Sequence, residues 1–422
     1  MSSLKEYQEV DSYWYDQVPS YWGKTKNKYV FCQNKHVVGE NWEKLTLLTM
    51  GKSGVKPRDM DGGGKFPASF ETYQTVEPNQ LIFCLFDLDE TPRTIGMSNH
   101  YGMITSAYDV FSTTEGNDPQ FWTYFYQMID DHKGLRPFYT GLRKVVRSDT
   151  FMGIEVFSPP LEEQKLISRY LDKKTEQIDS LVKKIQKKIE LLKEQRTSLI
   201  NQCVTKGLDP NVEMKDSGVE WIGEIPSHWD CKKLKYISKI TYGISPQETT
   251  YNDEGIGTVL INGPVEYSIT DFGYTRSIKW TTDPKNIVPK GSLLFCVRGS
   301  TTGRMNICHQ DVSIGRGVCS IESKLDQDFT VFSMMIVRIY IQDQISGSTF
   351  PSVVKEDVDN FVLPCPPIEE QRLISKCITD EVEGIDKLIN LHSKKNDTLR
   401  EYRQSLISSV VTGKVRVTEN KI

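Results

Sequence analysis

The stretch Pro159-Pro160-Leu161-Glu162-Glu163-Gln164-Lys165-Leu166-Ile167-Ser168 returns 207 positions later as Pro366-Pro367-Ile368-Glu369-Glu370-Gln371-Arg372-Leu373-Ile374-Ser375. The same displacement relates Ile178-Asp179 to Ile385-Asp386, Arg196 to Arg403, Ser198-Leu199-Ile200 to Ser405-Leu406-Ile407 and Val204-Thr205 to Val411-Thr412. Far upstream it relates Trp14, Pro19, Ser20 and Trp22 to Trp221, Pro226, Ser227 and Trp229. Two Lys/Glu-rich helices can resemble each other through composition alone, but tryptophan and proline are not helical filler. The chain is therefore a long internal duplication, able to pack on itself about a pseudo-two-fold axis as two identical subunits would.

Each copy of the repeated stretch opens a helix. Pro159-Pro160 cannot continue a preceding helix, and Glu162 and Glu163 fall in the first turn, at the positive end of the helix dipole. Apolar residues follow at Leu171, Ile178, Val182, Ile185, Ile189, Leu192, Leu199 and Cys203, in steps of four and three that make a coiled-coil seam. The second copy keeps Ile378, Val382, Ile385, Ile389, Leu399, Leu406 and Val410 on that stripe, but puts His392 and Asn396 where apolar residues belong. Those two either align the helices or form an exposed wedge. Arg196 and Arg403 hold equivalent seam positions, where the stem packs and the head reaches solvent, a carboxylate or a phosphate. A helix of about 40 residues is roughly 60 Å long, nearly two turns of B-DNA, so each could serve as a rigid spacer.

The intervening segments, residues 14–158 and 221–365, read as mixed α/β modules. Strand candidates Leu81–Phe86 and Leu293–Val297 each follow a turn, Pro78-Asn79-Gln80 and Pro289-Lys290-Gly291. Each module also has a helix candidate after an aspartate: Asp118 before Phe121, Tyr124, Phe125 and Met128, and Asp328 before Phe332, Met335, Ile336 and Ile339. These aromatic and apolar stripes are expected in the core. The predicted division is 1–160, a first module; 161–210, a central helix; 211–367, a second module; and 368–422, a C-terminal helix. The predicted fold class is mixed α/β (α+β) in two copies, joined by two long coiled-coil helices.

The 422 residues carry 52 basic and 56 acidic side chains, a net charge of −4, which argues against a chain that coats nucleic acid through a uniformly basic surface. Any such contact must be local. In the second module Arg298, Ser300, Thr301, Thr302, Arg304 and Arg316 lie in glycine-rich loops suited to phosphates and guanine edges, or are turn residues only. In the first module Lys52, Arg58, Lys65, Arg93, Arg136, Tyr139 and Arg143 are the comparable candidates.

Self-contained chemistry is not apparent. Ser158-Pro159-Pro160-Leu161 lacks the aromatic on which an adenine methyltransferase stacks a flipped base. Gly51-Lys52-Ser53 has Thr46 where a phosphate loop needs its leading glycine. Glu213-Met214-Lys215 resembles a fragment of a metal-dependent nuclease site but reads as solvated linker. Nine cysteines without a CxxC pair, and six histidines without ligand spacing, fit buried thiols better than disulfides or a metal centre. No apolar run is long enough to span a bilayer and the amino terminus has no signal-like core, so a cytoplasmic protein is expected.

With Trp221-Ile222-Gly223-Glu224-Ile225-Pro226-Ser227-His228-Trp229 opening the second module and PPLEEQ and PPIEEQ opening the two helices, the chain resembles type I restriction-modification specificity subunits over essentially its whole length. Phe66-Pro67-Ala68-Ser69-Phe70 and Gly299-Ser300-Thr301-Thr302-Gly303-Arg304 add to the likeness. The resemblance implies two target recognition domains that each read half of a bipartite site in double-stranded DNA. It further implies spacer helices at 161–206 and 368–413 that form an antiparallel coiled coil and dock two methyltransferase subunits, with Ile178, Val182, Ile185, Ile189, Leu192, Leu199, Ile385, Ile389, Leu399 and Leu406 as the seam. Restriction subunits would add ATP-driven translocation and cleavage; S-adenosylmethionine, ATP and magnesium would belong to those partners, and this chain would bind no cofactor and catalyse nothing. The first module's Trp14-Tyr15-Asp16-Gln17-Val18-Pro19-Ser20-Tyr21-Trp22 is looser than its counterpart and lacks the following Lys-Leu-Lys. The alternatives are a coiled-coil scaffold for proteins only, or an enzyme whose motif is unfamiliar.

Overall fold

The computed structural model describes residues 6–51, 54–59, 69–268, 273–299, 301–345 and 353–419. They form two compact units, Met1–Gln186 with Ser393–Ile422, and Lys187–His392. Each holds one mixed α/β module and a length of both long helices, Leu161–Lys206 and Ile368–Val411. Packing thus cuts across both long helices, where the sequence suggests borders at their ends.

The first unit begins with an antiparallel hairpin, Tyr7–Glu9 with Gln17–Pro19, and closes its module by pairing Gly23–Lys26 with Glu155–Ser158. Between these lies a four-stranded antiparallel sheet in the order Phe31–Asn34, Asp109–Thr113, Leu81–Phe83, Ile95–Met97. The helix Pro119–Asp131 belongs to the same core, where Phe31, Phe83, Phe111, Trp122, Tyr126 and Phe151 are buried. Edge-on, tilted and stacked ring contacts at 4.9–6.0 Å hold this cluster together.

The second unit repeats the frame. Met214–Asp216 pairs with Glu224–Pro226, and its register of Met214 opposite Pro226 is that of Tyr7 opposite Pro19 displaced by 207. Asp230–Lys233 pairs with Val362–Cys365 as Gly23–Lys26 does with Glu155–Ser158. The central sheet runs Ser238–Tyr242, Val318–Ser323, Leu293–Cys296, Met305–Ile307, beside the helix Gln327–Ile345. The modules part company outside this frame. The second carries a further five-stranded sheet in which Thr258–Ile261 and Val312–Ile314 run parallel; the first has two-stranded pairs, Gln74–Val76 with Gly102–Ile104 and Leu48–Gly51 with Gly54–Pro57.

Several expectations need correction. The strand expected at Leu81–Phe86 stops at Phe83. The cap of the second module's helix is Asp326, whose Oδ1 accepts the Phe329 N–H at 2.9 Å, and Asp328 lies inside the first turn. On that helix Phe332, Met335 and Ile336 are buried as expected, but Ile339 is 38% exposed. Met214 and Lys215 belong to a paired strand, so this stretch is framework rather than linker. All nine cysteines are free; Cys84, Cys203, Cys296, Cys308 and Cys319 are buried, and Cys32 is exposed. No helix among the described residues is long and apolar enough to cross a membrane, and they hold no cluster of three metal-ligating side chains.

Candidate nucleic-acid interface

The repeated PPxEEQ stretch is the joint between module and long helix. Asp118 caps Pro119–Asp131 by accepting the Phe121 N–H at 2.8 Å, and the same Oδ1 accepts the Ser168 hydroxyl at 2.6 Å. Gln164 Oε1 accepts the Asp118 N–H at 2.8 Å while its Nε2 donates to the Pro159 carbonyl at 2.9 Å. In the second unit Asp326, Gln371, Ser375 and Pro366 make the same set of bonds at 2.7–2.9 Å. Gln164 and Gln371 are each 1% exposed. A buried amide with its donors and acceptors engaged is expensive to replace, which is why this motif needs glutamine there.

The far end of each helix meets a tryptophan. Gly207, at φ +73°, lies against the buried Trp229 ring, and Gly413, at φ +74°, against Trp22 and Pro19. The two glutamates of the motif find module partners too: Glu163 accepts the Tyr21 hydroxyl at 3.0 Å and Glu370 contacts His228 at 2.9 Å.

Within each unit the two helix segments run antiparallel. In the first, Arg403 Nε lies 3.0 Å from Asp179 and Asn396 donates to Gln186 at 3.4 Å. In the second, Arg196 lies 2.7 Å from Asp386. Both arginines therefore reach carboxylates. Leu171, Ile178, Ile185, Ile189, Leu192, Ile378, Val382, Ile385 and Leu406 are buried, while Val182, Leu199, Ile389 and Leu399 are half-buried. Asn396, only 3% exposed, is no surface wedge. Its Oδ1 and His392 Nδ1 are buried without a hydrogen-bond partner among the described residues, so the second helix carries a weak polar stretch in the seam.

The basic loop residues fall into distinct groups. Lys52, Lys65 and Ser300 lie outside the described residues. Arg93 is engaged inside its unit, 2.9 Å from Asp131 and 3.3 Å from Asp130. Arg136 and Tyr139 both bond Asp89, and Arg143 bonds Asp87 at 2.7 Å while lying over the Phe86 ring. Arg143 holds the Asp87 carboxyl below its usual range, and Lys144 and then Arg136 do the same for Asp89. Burial, then the Asp89 charge, pushes the Tyr139 phenol up to about 12, so it acts as a neutral donor. Four of the first module's candidates are thereby tied into local acid–base clusters. Arg58 is exposed.

In the second module the picture differs. Thr302 donates to Gly299 O at 2.8 Å and Thr301 lies beside Cys296, so both shape their turn. Arg304 donates to the Ser268 carbonyl at 3.2 Å. Arg298 and Arg316 are exposed and line an open groove of about 440 Å³ together with Tyr242, Val353 and Lys355. Sequence reasoning missed Tyr242 and Lys355, because the groove is assembled from segments more than a hundred residues apart and no local motif announces it.

The family described as "Type I restriction modification DNA specificity domain" matches residues 226–401. The MjaX type I restriction enzyme specificity subunit assigned in Methanocaldococcus jannaschii is 32% identical over 265 residues, 61% of this chain and 59% of that protein. The MjaVIII specificity subunit of the same organism is 25% identical over 63% of each chain. The matched stretches thus span somewhat less than two thirds of these relatives. In three dimensions, a chain from a study of complex assembly and conformational transition of the type I R-M system superposes with a TM-score of 0.73 at 16% identity, covering 94% of this chain and 99% of that one. The HsdS subunit of Thermoanaerobacter tengcongensis superposes at 0.51 and 15% identity, covering 94% and 98%. Residues 226–401 thus match the type I restriction modification DNA specificity domain family, and the frame of hairpin, module and clamped helix made twice in one register shares its fold with chains of type I restriction-modification systems.

Proposed function

We propose that this chain selects the DNA target of a type I restriction-modification complex, with residues 1–160 and 211–367 each reading one half of a bipartite sequence in double-stranded DNA. The helices within 161–210 and 368–422 act as spacers and dock two methyltransferase subunits, to which restriction and translocase subunits add. The chain contributes recognition and no catalysis; S-adenosylmethionine, ATP and magnesium serve its partners, and the complex works on DNA in the cytoplasm. The observation that carries this reading is the duplicated frame around divergent centres. A constant joint suits a constant partner, while surfaces that differ between modules suit two different half-sites.

Replacing residues 14–158 with the module of another family member, and mapping methylated adenines in a host carrying the complex, tests it. One half of the methylated sequence should change and the other stay. Simultaneous loss of both halves, or methyl transfer by the purified chain without partners, would refute it. The net acidic chain should bind DNA weakly by itself, and the assembled complex more tightly and with strong salt dependence.

A further inference from the structure

We infer that Arg316 is the base-reading side chain of the second module, engaging the major-groove edge of a guanine while Arg298 and Lys355 hold neighbouring phosphates. This rests on the reading of that module as a DNA-recognition unit.

Three cations in one groove lack an anionic partner among the described residues. Arg298, Arg316 and Lys355 are exposed, and no carboxylate among the described residues pairs with them. Other arginines of the module are engaged: Arg304 with the Ser268 carbonyl, and Arg276 with the carbonyls of Tyr267 and Val265. Unpaired guanidinium groups on a chain with surplus acid mark a place where the missing anion comes from outside.

Arg316 is also the most firmly mounted of the three. Its N–H donates to Ser245 Oγ at 3.1 Å, and the flanking Gly315 N–H donates to the Ile261 carbonyl at 2.9 Å. Neither neighbouring backbone leaves room for a side chain: a Cβ on Gly243 would strike the Gly315 carbonyl, and one on Gly317 the Asn262 carbonyl. The turn is locked from both sides. Direct readout needs a fork fixed to about 0.5 Å, and Arg offers two parallel donors to guanine O6 and N7 where Lys offers a point charge.

The surroundings divide the work. Lys355 Nζ lies 5.3 Å from the centre of the Tyr242 ring, whose hydroxyl donates to Asp359 at 2.8 Å. Arg316 also lines the adjoining groove of about 460 Å³ with Tyr251, Asn262 and Lys279. It therefore borders both grooves, with Lys355 lining one and Lys279, together with Glu248, lining the other. In the first unit the residue at the place of Arg298, five beyond the start of the corresponding strand, is Phe86, stacked on Tyr108 at 6.2 Å and 19°. The two modules offer different chemistry at one topological position.

The test uses the assembled methyltransferase complex carrying Arg316→Ala, Arg316→Lys, Arg298→Ala or Lys355→Ala. Methylated-adenine mapping is combined with binding to site variants over a salt series. Arg316→Ala should abolish discrimination at one G·C pair in the second module's half-site, about 5- to 150-fold, and leave the other half unchanged. Arg316→Lys should lose the same discrimination yet keep the salt slope. Arg298→Ala and Lys355→Ala should weaken all sequences alike and each lower the salt slope by about one. If Arg316→Ala weakens every sequence equally, or has no effect, the reader assignment is overturned. A wild-type complex that methylates no bipartite sequence would instead remove the recognition role itself.

Discussion

Arg196 Nη1 lies 2.7 Å from Asp386 Oδ1, and moving the arginine forward and the aspartate back by 207 residues gives Arg403 and Asp179, themselves an ion pair at 3.0 Å. One contact is thus made twice, with donor and acceptor exchanged between the helices. That is the signature of an isologous interface, written here into a single chain.

Equal contacts should have equal weight. Arg196→Ala and Arg403→Ala should each lower stability by about 0.5–1 kcal/mol, since both pairs are partly exposed and solvent screens them. Urea denaturation of the single and double variants with Asp386→Ala and Asp179→Ala should give similar coupling energies for the two pairs.

An interface that is its own mate needs only one kind of helix. A fragment of residues 1–210 should therefore dimerise through Arg196 of one copy and Asp179 of the other, with Leu171, Ile178 and Ile200 in the seam. Sedimentation should show a dimer, and Asp179→Arg should shift the fragment towards monomer.

The joint glutamines should matter more than any surface charge. Gln371→Ala leaves the Asp326 N–H and the Pro366 carbonyl without partners in a buried place, and Gln164→Ala does the same to Asp118 and Pro159. A loss of about 1–3 kcal/mol is expected for each, read as a lower melting temperature; Gln371→Glu should be nearly as harmful, because a carboxylate cannot donate to the Pro366 carbonyl.

His309 gives the second unit a pH dependence. Its ring bonds Thr275 at 2.7 Å and Ser277 at 2.8 Å, and burial, then Lys290, lowers its pKa from the ordinary value of about 6.5. Below that ordinary value the unfolded chain binds the proton more readily than the folded one, so stability should fall as pH drops through 6.5 and be regained above it. An NMR titration should place the His309 midpoint below that of an exposed histidine, and His309→Gln should flatten the stability profile in that window.

How far the sequence speaks depends on the distance over which each feature is determined. The helices were legible because their signals are local: the Pro159-Pro160 and Pro366-Pro367 starts and the apolar steps from Leu171 onward. The cap at Asp326 was misplaced to Asp328 because two aspartates stand in line, and only the hydrogen bonds from Phe329 and Ser375 distinguish them. The candidate site was less legible still. Arg93 and Asp130, or Arg143 and Asp87, are far apart along the chain, so nothing local reveals that these arginines are already engaged. Lys355 joins Arg298 and Arg316 only after the sheet has formed.

The strands that frame each module, Gly23–Lys26 with Glu155–Ser158 and Asp230–Lys233 with Val362–Cys365, hold together largely through main-chain bonds, and main-chain bonds do not ask which side chains lie between. A gene coding for such a frame can exchange its interior by recombination at the two borders and still yield a folded product. New target preferences would then arise in single steps, without renegotiating the fit to any subunit that grips the rods.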